Sequence, residues 1–568
     1  MKKIMILVFT ALFFCAAGFS QVINNSQIIE GKHWIYDAFE TLSMESKTGN
    51  FSSNTPLTVG ELKLHFKEYN RELLSESGKA VYDKVNEFLF TQKNLFPGKM
   101  FELGLGLKLA PELCYKSNDQ IDWTYNYYFN DNPISAQIDS GISDYFSVGA
   151  DFFIGKNYRY SIDGDNLTNL PLGYNQFEFL FPRFCYGSLA AVFDGWGLGV
   201  SVGKEGLCIG NTKTGSIIYN NTFETDGYFQ FNAYTDDVKY TMDIVQIQPE
   251  KFLYWHEFDV RFFKKIKFGI MEGSLVNKPL ELRFLNPLMI FHSFAFWKDF
   301  TNETEDHYYN EGYCCSYLGL TFEILPVKNL RIYGLYAMNE IQLPNEQTGK
   351  WLAYPDSLGG QLGMELKIPH NNGGYWKGVF ESVYCSPFLY IKQSPDWSLY
   401  RARTDNITWD TVNSWIGSPF GPDTFAVNAS VSYEKTDKWE AGFEYLLLLK
   451  GENGFSLFDK DIWNTELGYK DYSKEKIWTY YPYTKYMIAE DADSQKGMDS
   501  AISEGRNMWM SGCCEYTHRF TLNGSVNITP KFTVKGQVVY SFVLNARHIK
   551  DNFQHGVQGA LSLEYRFF

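Results

Sequence analysis

Hydrophobic and polar residues alternate along several stretches of the chain, most clearly over residues 519–542. A short turn at 529–531 interrupts the pattern, and Val539 is the one apolar residue on the polar side. The apolar positions are Phe520, Leu522, Val526, Ile528, Phe532, Val534, Val538, Tyr540 and Phe542. Because successive side chains of a strand point to opposite faces, this stretch is predicted to be a two-strand hairpin with one apolar and one polar face.

The same alternation predicts further hairpins over residues 318–338 and 425–445. Each hairpin has a tight polar turn at one end, and the turns fall at 325–329, 434–438 and 529–531. At the other end lie long stretches such as 390–424 and 450–512, rich in Asp, Asn, Ser, Gly, Trp and Tyr. Short turns on one rim and long loops on the other are typical of outer-membrane β-barrels, whereas a β-sandwich rarely runs past about 250 residues.

The chain ends in an amphipathic segment that supports the same class. Leu561, Leu563, Tyr565 and Phe567 alternate with polar residues, and the last residue is the aromatic Phe568. Such an ending resembles the signal read by the barrel-insertion machinery, which is therefore an expected partner during biogenesis. We predict an all-β transmembrane barrel over residues 98–568, with its apolar face toward outer-membrane lipid and its polar face toward the lumen.

Composition is consistent with an exported barrel. Residues 1–20 have two lysines, an apolar run and small residues, which predicts a signal peptide. After residue 20 no run of about twenty apolar residues follows, so a helical membrane protein is excluded. Aromatic residues make up 18% of the chain although the mean hydropathy is only -0.28, as expected where apolar and polar positions alternate. The net charge of -15 argues against nucleic acid as a partner.

Residues 21–97 follow a different pattern, with helical spacing from residue 31 to about 95. Thr58 and Glu61 form a capping box, and Leu57 with Leu62 can form a hydrophobic staple, so one helix is predicted to start there. Helices are also predicted before and after it. The three helices are expected to form a small bundle on the periplasmic side, as a plug or as a docking module.

The order of these elements resembles the capsule-assembly outer-membrane (Wzi-like) family. "GSLAAVFDGWGLGVSVGKEGLCIG" is similar to an early hairpin of that family, and "LYWHEFDVRFFKKIKFGIMEGSLVNKPLELRFLNPLMIFH" to its central segment. In the central segment His256 opens a strand, Glu272 follows in the next, and Leu285-Asn286-Pro287 closes the next turn. The resemblance implies about eighteen antiparallel strands and a role in holding surface polysaccharide rather than in catalysis.

A second resemblance keeps another partner open. "HWIYDAFETL" with the following "NTPLTVGEL" resembles an S-layer-homology repeat, which binds cell-wall polysaccharide. This chain has Thr58-Val59-Gly60-Glu61 where such repeats carry Thr-Arg-Ala-Glu, and it has a single copy where repeats usually come in threes. The bundle is thus also a candidate contact to the cell wall.

Two groups of residues are candidates for function. Trp397, Tyr400, Trp409 and Trp415 lie in a loop whose aromatic and amide-rich composition suits glycan binding. His256, Arg261, Glu272 and Asn286 are predicted to form a polar network in the lumen, with a structural role favoured over a catalytic one. No spacing of cysteines or histidines fits a metal site, so we expect neither a metal nor another cofactor. Two vicinal cysteine pairs, "YCCSY" and "GCCEY", are either local features or partners in a loop-to-loop disulfide.

Two functions remain open on the sequence. In the first, a non-enzymatic barrel in the outer membrane binds or organises surface polysaccharide. In the second, it is a porin-like channel whose polar lumen passes small solutes. The state of the lumen separates them, because a filled lumen favours binding and an open bore favours transport.

Overall fold

The computed structural model describes residues 24–91, 101–122, 132–156, 168–170, 177–179, 183–221, 225–291, 301–302, 311–312, 314–341, 356–392, 398–404, 411–452 and 507–567. They form a closed barrel of eighteen antiparallel strands preceded by three helices, which confirms the predicted fold class. Among the described helices none is both long and apolar enough to cross a bilayer.

The strands follow one another around the barrel in chain order. The first, β1, has two segments, Glu102–Leu109 and Glu112–Lys116. The others are β2 Ile134–Ile142, β3 Phe146–Lys156, β4 Cys185–Phe193, β5 Trp196–Glu205, β6 Asp226–Thr235, β7 Val238–Gln248, β8 Lys251–Phe262, β9 Ile266–Val276, β10 Cys314–Val327, β11 Leu330–Glu340, β12 Ser357–His370, β13 Gly374–Cys385, β14 Thr424–Lys435, β15 Trp439–Lys450, β16 Glu515–Thr529, β17 Phe532–Leu544 and β18 Gln554–Arg566. The barrel closes where β18 pairs with β1, for example Arg566 with Lys108 and Gln558 with Lys116.

The hairpin of β16 and β17 shows how the alternation sets the two faces. Its register pairs Leu522 with Val538 and Thr521 with Val539, as the pattern predicts. Leu522 and Val538 are 60% and 55% exposed on the outer wall, whereas Val539 is 1% exposed on the lumen side. The predicted hairpins of β10 with β11 and of β14 with β15 are confirmed in the same way.

Three helices precede the barrel: α1 Ile35–Ser46, α2 Val59–Phe66 and α3 Glu76–Phe90. The predicted capping box is present, because the Thr58 side chain accepts from the Glu61 N–H and the Glu61 carboxylate accepts from the Thr58 N–H. Leu57 and Leu62 are both buried in the apolar core that the three helices share. Each helix thus buries one apolar face against the others.

The bundle occupies the end of the barrel that carries the short turns. Gly49 N–H donates to the carbonyl of Lys264 at 2.8 Å, and Asn329 N–H donates to the carbonyl of Met44 at 2.9 Å. On the opposite wall α2 comes so close to β4 that a Cβ on Gly60 would lie 2.5 Å from Val192. The helices are therefore seated in this mouth of the barrel.

The middle of the lumen is filled by two segments from the long-loop end. The two inserted segments are residues 206–221, between β5 and β6, and the described residues 386–392, 398–404 and 411–423, between β13 and β14. They contribute Ile217, Ile218 and Leu389 to the largest apolar core. Ile218 packs so closely against β10 that a Cβ on Gly319 would lie 2.7 Å from it. The glycine thus makes room for the inserted chain.

Candidate functional site: the filled lumen

Charged side chains join α1 to the inner wall. Glu40 lies 3.1 Å from the ammonium of Lys213, 3.6 Å from the guanidinium of Arg331 and 2.9 Å from the ammonium of Lys367. Glu365 accompanies the same cations, 3.2 Å from Lys213 and 3.3 Å from Arg331. We call these five residues the ionic cluster. It connects the bundle, the inserted segment and two strands of the barrel.

The alternation of residues along the strands explains why the strand members of the ionic cluster face the lumen. Arg331, Glu365 and Lys367 occupy lumen-facing positions of β11 and β12, where alternate residues point inward. Glu40 of α1 is only 2% exposed. Removing one partner of such a buried group leaves an uncompensated charge, so the cluster fixes where the bundle can sit.

A second set of contacts joins the bundle to β7 and β8. Lys239 lies 2.6 Å from Glu61 of α2. The Asn54 amide donates to the Glu257 carboxylate at 2.7 Å, and the Ser53 hydroxyl donates to the Asp259 carboxylate at 2.6 Å. Lys239, Glu257 and Asp259 occupy lumen-facing positions. Ser53 and Asn54 lie between α1 and α2, and Glu61 lies in α2. The bundle is thus held by hydrogen bonds and ion pairs around its circumference.

The cations around the bundle lower the pKa of the carboxylates of Glu40 and Glu68. Burial alone would raise the pKa of Glu40, but Lys213, Lys367 and Arg331 outweigh burial and hold its pKa well below its ordinary value. Burial likewise opposes ionisation of Glu68, yet the neighbouring His65 ring and the guanidinium of Arg261 lower its pKa to about 2. Both groups are therefore ionised at neutral pH and remain paired.

Hydrogen bonds between the two inserted segments close the apolar half of the lumen. Arg401, which is fully buried, donates to the Asp226 carboxylate at 2.7 Å and to the Asn220 carbonyl at 3.0 Å. The Tyr317 hydroxyl of β10 donates to the carbonyl of Ile218 at 2.7 Å. The inserted segments are thus anchored both to each other and to the wall.

Two places inside the described part of the barrel hold unfilled space. One recess of about 290 Å³ lies against the inner wall of β15 to β18 and is lined by polar and small residues, including Glu440, Asn523, Lys535 and Gln537. A second cavity of about 250 Å³ lies between the bundle and the inserted segment 206–221. A path for solutes through the described part of the barrel would have to run through the first recess.

The predicted lumen network is not brought together. Arg261 faces the lumen and lies 2.6 Å from Glu68 of the bundle, as a lumen residue should. His256 and Glu272 instead pair across β8 and β9 on the outer wall. Asn286 lies in a segment on that same outer side. The prediction placed them together, but His256 and Arg261 are five residues apart on one strand and must point to opposite faces.

The predicted glycan-binding loop is only partly described, because Trp397 and Trp409 lie outside the described residues. Trp415 is 8% exposed and stacks on Tyr390 with ring centroids 5.9 Å apart. The ring of Tyr400 has the ammonium of Lys251 at 4.2 Å from its centroid. The structure therefore gives Trp415 an anchoring place within the lumen core, with no free face for a sugar.

The residues that hold the bundle in the barrel were not among the candidates that the sequence indicated. Glu40, Arg331 and Lys367 are single charges in different elements, and only their inward-facing strand positions could have indicated them. The eight described cysteines are free thiols, so neither vicinal pair forms a disulfide. Among the described residues no group of three or more His, Cys, Asp or Glu side chains could hold a metal ion.

Comparison with known proteins gives a likeness in fold. No protein-family model and no curated protein sequence matches the chain. Among solved structures, Wzi of Escherichia coli, an outer-membrane protein involved in group 1 capsule assembly and a carbohydrate-binding β-barrel, aligns with a TM-score of 0.54 at 11% identity, covering 94% of this chain and 99% of that one.

Two further structures align less well. OprD of Pseudomonas aeruginosa has 9% identity and a TM-score of 0.38 over 82% of this chain and 94% of its own. OmpT of Vibrio cholerae has 8% identity and a TM-score of 0.31 over 83% and 99%. The class defined by the fold is an outer-membrane-type β-barrel, and Wzi is a protein to which this chain is similar in fold across nearly its whole length.

Proposed function

We propose that this protein is a non-enzymatic barrel of the bacterial outer membrane that binds or organises surface polysaccharide, with its lumen closed by the bundle and the inserted segments. The observation that carries the proposal is the filled lumen. A diffusion channel has no use for an ionic cluster that fixes three helices in one mouth, or for an apolar core between two inserted segments. Both features suit a protein that acts at its surface.

The orientation of the barrel follows from the usual rule for such proteins. Short turns face the periplasm and long loops face the cell exterior in outer-membrane barrels. The bundle, which lies at the short-turn end, is therefore proposed to face the periplasm, where the cell wall is a possible contact. The long loops are proposed to meet polysaccharide outside the cell, and we propose that Trp397 and Trp409 lie there, above the inserted residues of their segment.

The Wzi likeness supports the ligand class without assigning it. That protein is described as carbohydrate-binding, and this chain has the same kind of barrel. The loop composition adds to this, because sugars pack their apolar faces on Trp and Tyr and bond their hydroxyls to Asp, Asn and Glu.

Trp397→Ala combined with Trp409→Ala is expected to weaken polysaccharide binding about tenfold or more while the barrel still folds. Two stacking contacts at about 0.5–1.5 kcal/mol each account for this loss, since about 1.4 kcal/mol is tenfold. The measurements are binding of purified barrel to a glycan array and retention of polysaccharide on cells.

The matched control is Trp196→Ala, which removes an exposed tryptophan beside the short turn between β4 and β5, at the opposite end of the barrel. This variant should bind polysaccharide as the wild type does. Unchanged glycan binding in the double variant, with its folding intact, would contradict the proposed role of this loop.

A porin-like channel is the second candidate, and the recess along β15 to β18 favours it. Its polar lining could conduct small solutes if the recess opened at both ends. Bilayer conductance distinguishes a closed recess from a path.

A further inference from the structure

Residues 277–291, which follow β9, return along the outer wall of the barrel. We call this segment the outer strap. Its buried residues Phe284 and Phe291 share an apolar cluster with Ile244 of β7 and Tyr254 of β8. Ile244 and Tyr254 alternate with the lumen-facing residues of their strands, so they point outward. The outer strap therefore lies on the side that the rest of the barrel presents to lipid.

Beneath the outer strap the wall carries polar residues where a lipid-facing wall is usually apolar. Tyr240 and His256 point outward and hydrogen-bond to each other, and Glu272 is the neighbour of His256 across β8 and β9. His256 is the sixth of the twelve residues of β8, so His256 and its neighbour Glu272 lie at mid-height in the barrel, with Tyr240 nearer the short-turn end. Direct contact with hydrocarbon would be costly for them.

The outer strap covers this polar patch with specific contacts. The Tyr240 hydroxyl donates to the carbonyl of Pro287 at 3.0 Å. The ring of Phe291 has its centroid 4.0 Å from that of His256. The contacts reach well below the long-loop rim, because Tyr240 comes only two residues after the start of β7 at the short-turn end.

Polar groups of the strap backbone also have protein partners, as a segment in contact with lipid requires. Irregular backbone at membrane depth is tolerated only where its polar groups are satisfied by protein. The Glu281 N–H donates to the Tyr254 hydroxyl at 3.0 Å, and the Leu288 N–H donates to the Asn286 side chain at 3.1 Å. Pro279 and Pro287 have no N–H to satisfy.

The exposed hydrophobic side chains of the strap are Leu280, Leu282, Leu288 and Ile290, at 53%, 68%, 90% and 63% exposure. Asn286 is also exposed, and the half-buried Arg283 and Glu281 form an ion pair at 2.9 Å. The four aliphatic side chains continue the apolar outer surface of the same strands, where Phe258 and Ile270 are also exposed. We propose that the outer strap is a membrane-embedded element whose four aliphatic side chains contact lipid acyl chains and seal the Tyr240, His256 and Glu272 patch from them.

Photo-crosslinking tests this placement in the full-length chain within its own outer membrane. A benzophenone amino acid replaces Leu288 in one variant and Leu522 in another, because Leu522 is an outward residue of β16 with 60% exposure. A third variant carries the probe at Asp551, an exposed turn residue. After irradiation, mass spectrometry should find lipid adducts at position 288 in a yield like that at position 522, with few at position 551.

Two results would overturn the proposal. Adducts between position 288 and a second copy of the chain, or another protein, would make the strap a protein interface. Absence of lipid adducts at position 288 while position 522 forms them would place the strap away from hydrocarbon, with the barrel's own position in the membrane unaffected.

Discussion

Replacing Val538 with arginine is expected to destabilise the barrel by about 2–4 kcal/mol, because the substitution places a charge in the hydrocarbon near the bilayer midplane. Val538 is the seventh of the thirteen residues of β17 and is 55% exposed on the outer wall. Its neighbours across the sheet are Leu522 and Gly559, which supply no counter-charge. Urea titration of the barrel refolded into lipid vesicles measures the change in unfolding free energy.

Gln537→Arg is the matched control, because it adds the same charge one residue away. Gln537 points inward and lines the polar recess against β15 to β18. An arginine there stays in contact with polar groups and water, so the cost should be much smaller. Equal costs at the two positions would mean that the two faces of β17 do not meet lipid and lumen.

Glu40→Gln is expected to reduce the free energy that holds the bundle in the barrel by about 3–5 kcal/mol, because removing one partner from a buried ionic group leaves the other charges uncompensated. Glu40 is 2% exposed and contacts three cations, Lys213, Arg331 and Lys367. Hydrogen exchange of the amides in α1 to α3 reports this loss, while the amides of the barrel strands should keep their protection.

Glu72→Gln serves as the control within the same bundle. Glu72 has a side chain that is 76% exposed and pairs with Arg71, whose side chain is 41% exposed. Its substitution should leave hydrogen exchange of the helices as in the wild type, because a solvent-exposed pair contributes little. Unchanged exchange in Glu40→Gln as well would contradict the role of the ionic cluster.

Lowering the pH is also expected to loosen the bundle from the barrel, because it protonates the paired carboxylates of the bundle. The pKa of Glu68 is lowered from 4.5 to about 2 in the folded protein, where the neighbouring His65 ring and the guanidinium of Arg261 outweigh its burial. Its pairing therefore stabilises the docked bundle above about pH 4.5, and this contribution is lost as the pH falls toward 2. The pKa of Glu40 is also lowered, so its pairing is lost in the same direction.

Local patterns in the sequence were enough to predict the strands and helices and which face of each strand is apolar. The alternation around Val539 placed each residue of β16 and β17 on its side, since a strand has a period of two. Thr58 and Glu61 fixed the start of α2, because a capping box depends on residues three apart. Each of these features involves groups close together in the chain, where sequence and geometry are directly connected.

Such local patterns could not predict the candidate site. Glu40 and Arg331 come together only because the bundle enters the barrel, and no local period describes that entry. Trp415 has the composition of a surface loop, yet its segment folds inward onto Tyr390. The case of His256 is different, because its odd spacing from Arg261 already placed the two on opposite faces of one strand.

Planar-bilayer conductance of the purified full-length barrel tests the central claim most directly, because the account depends on a lumen closed by the bundle and the inserted segments. The wild-type protein should insert without stable open-channel steps in neutral salt solution. Stable ohmic steps from the wild-type protein would show that the recess along β15 to β18 is a continuous path, and would contradict the closed, polysaccharide-binding barrel in favour of a porin.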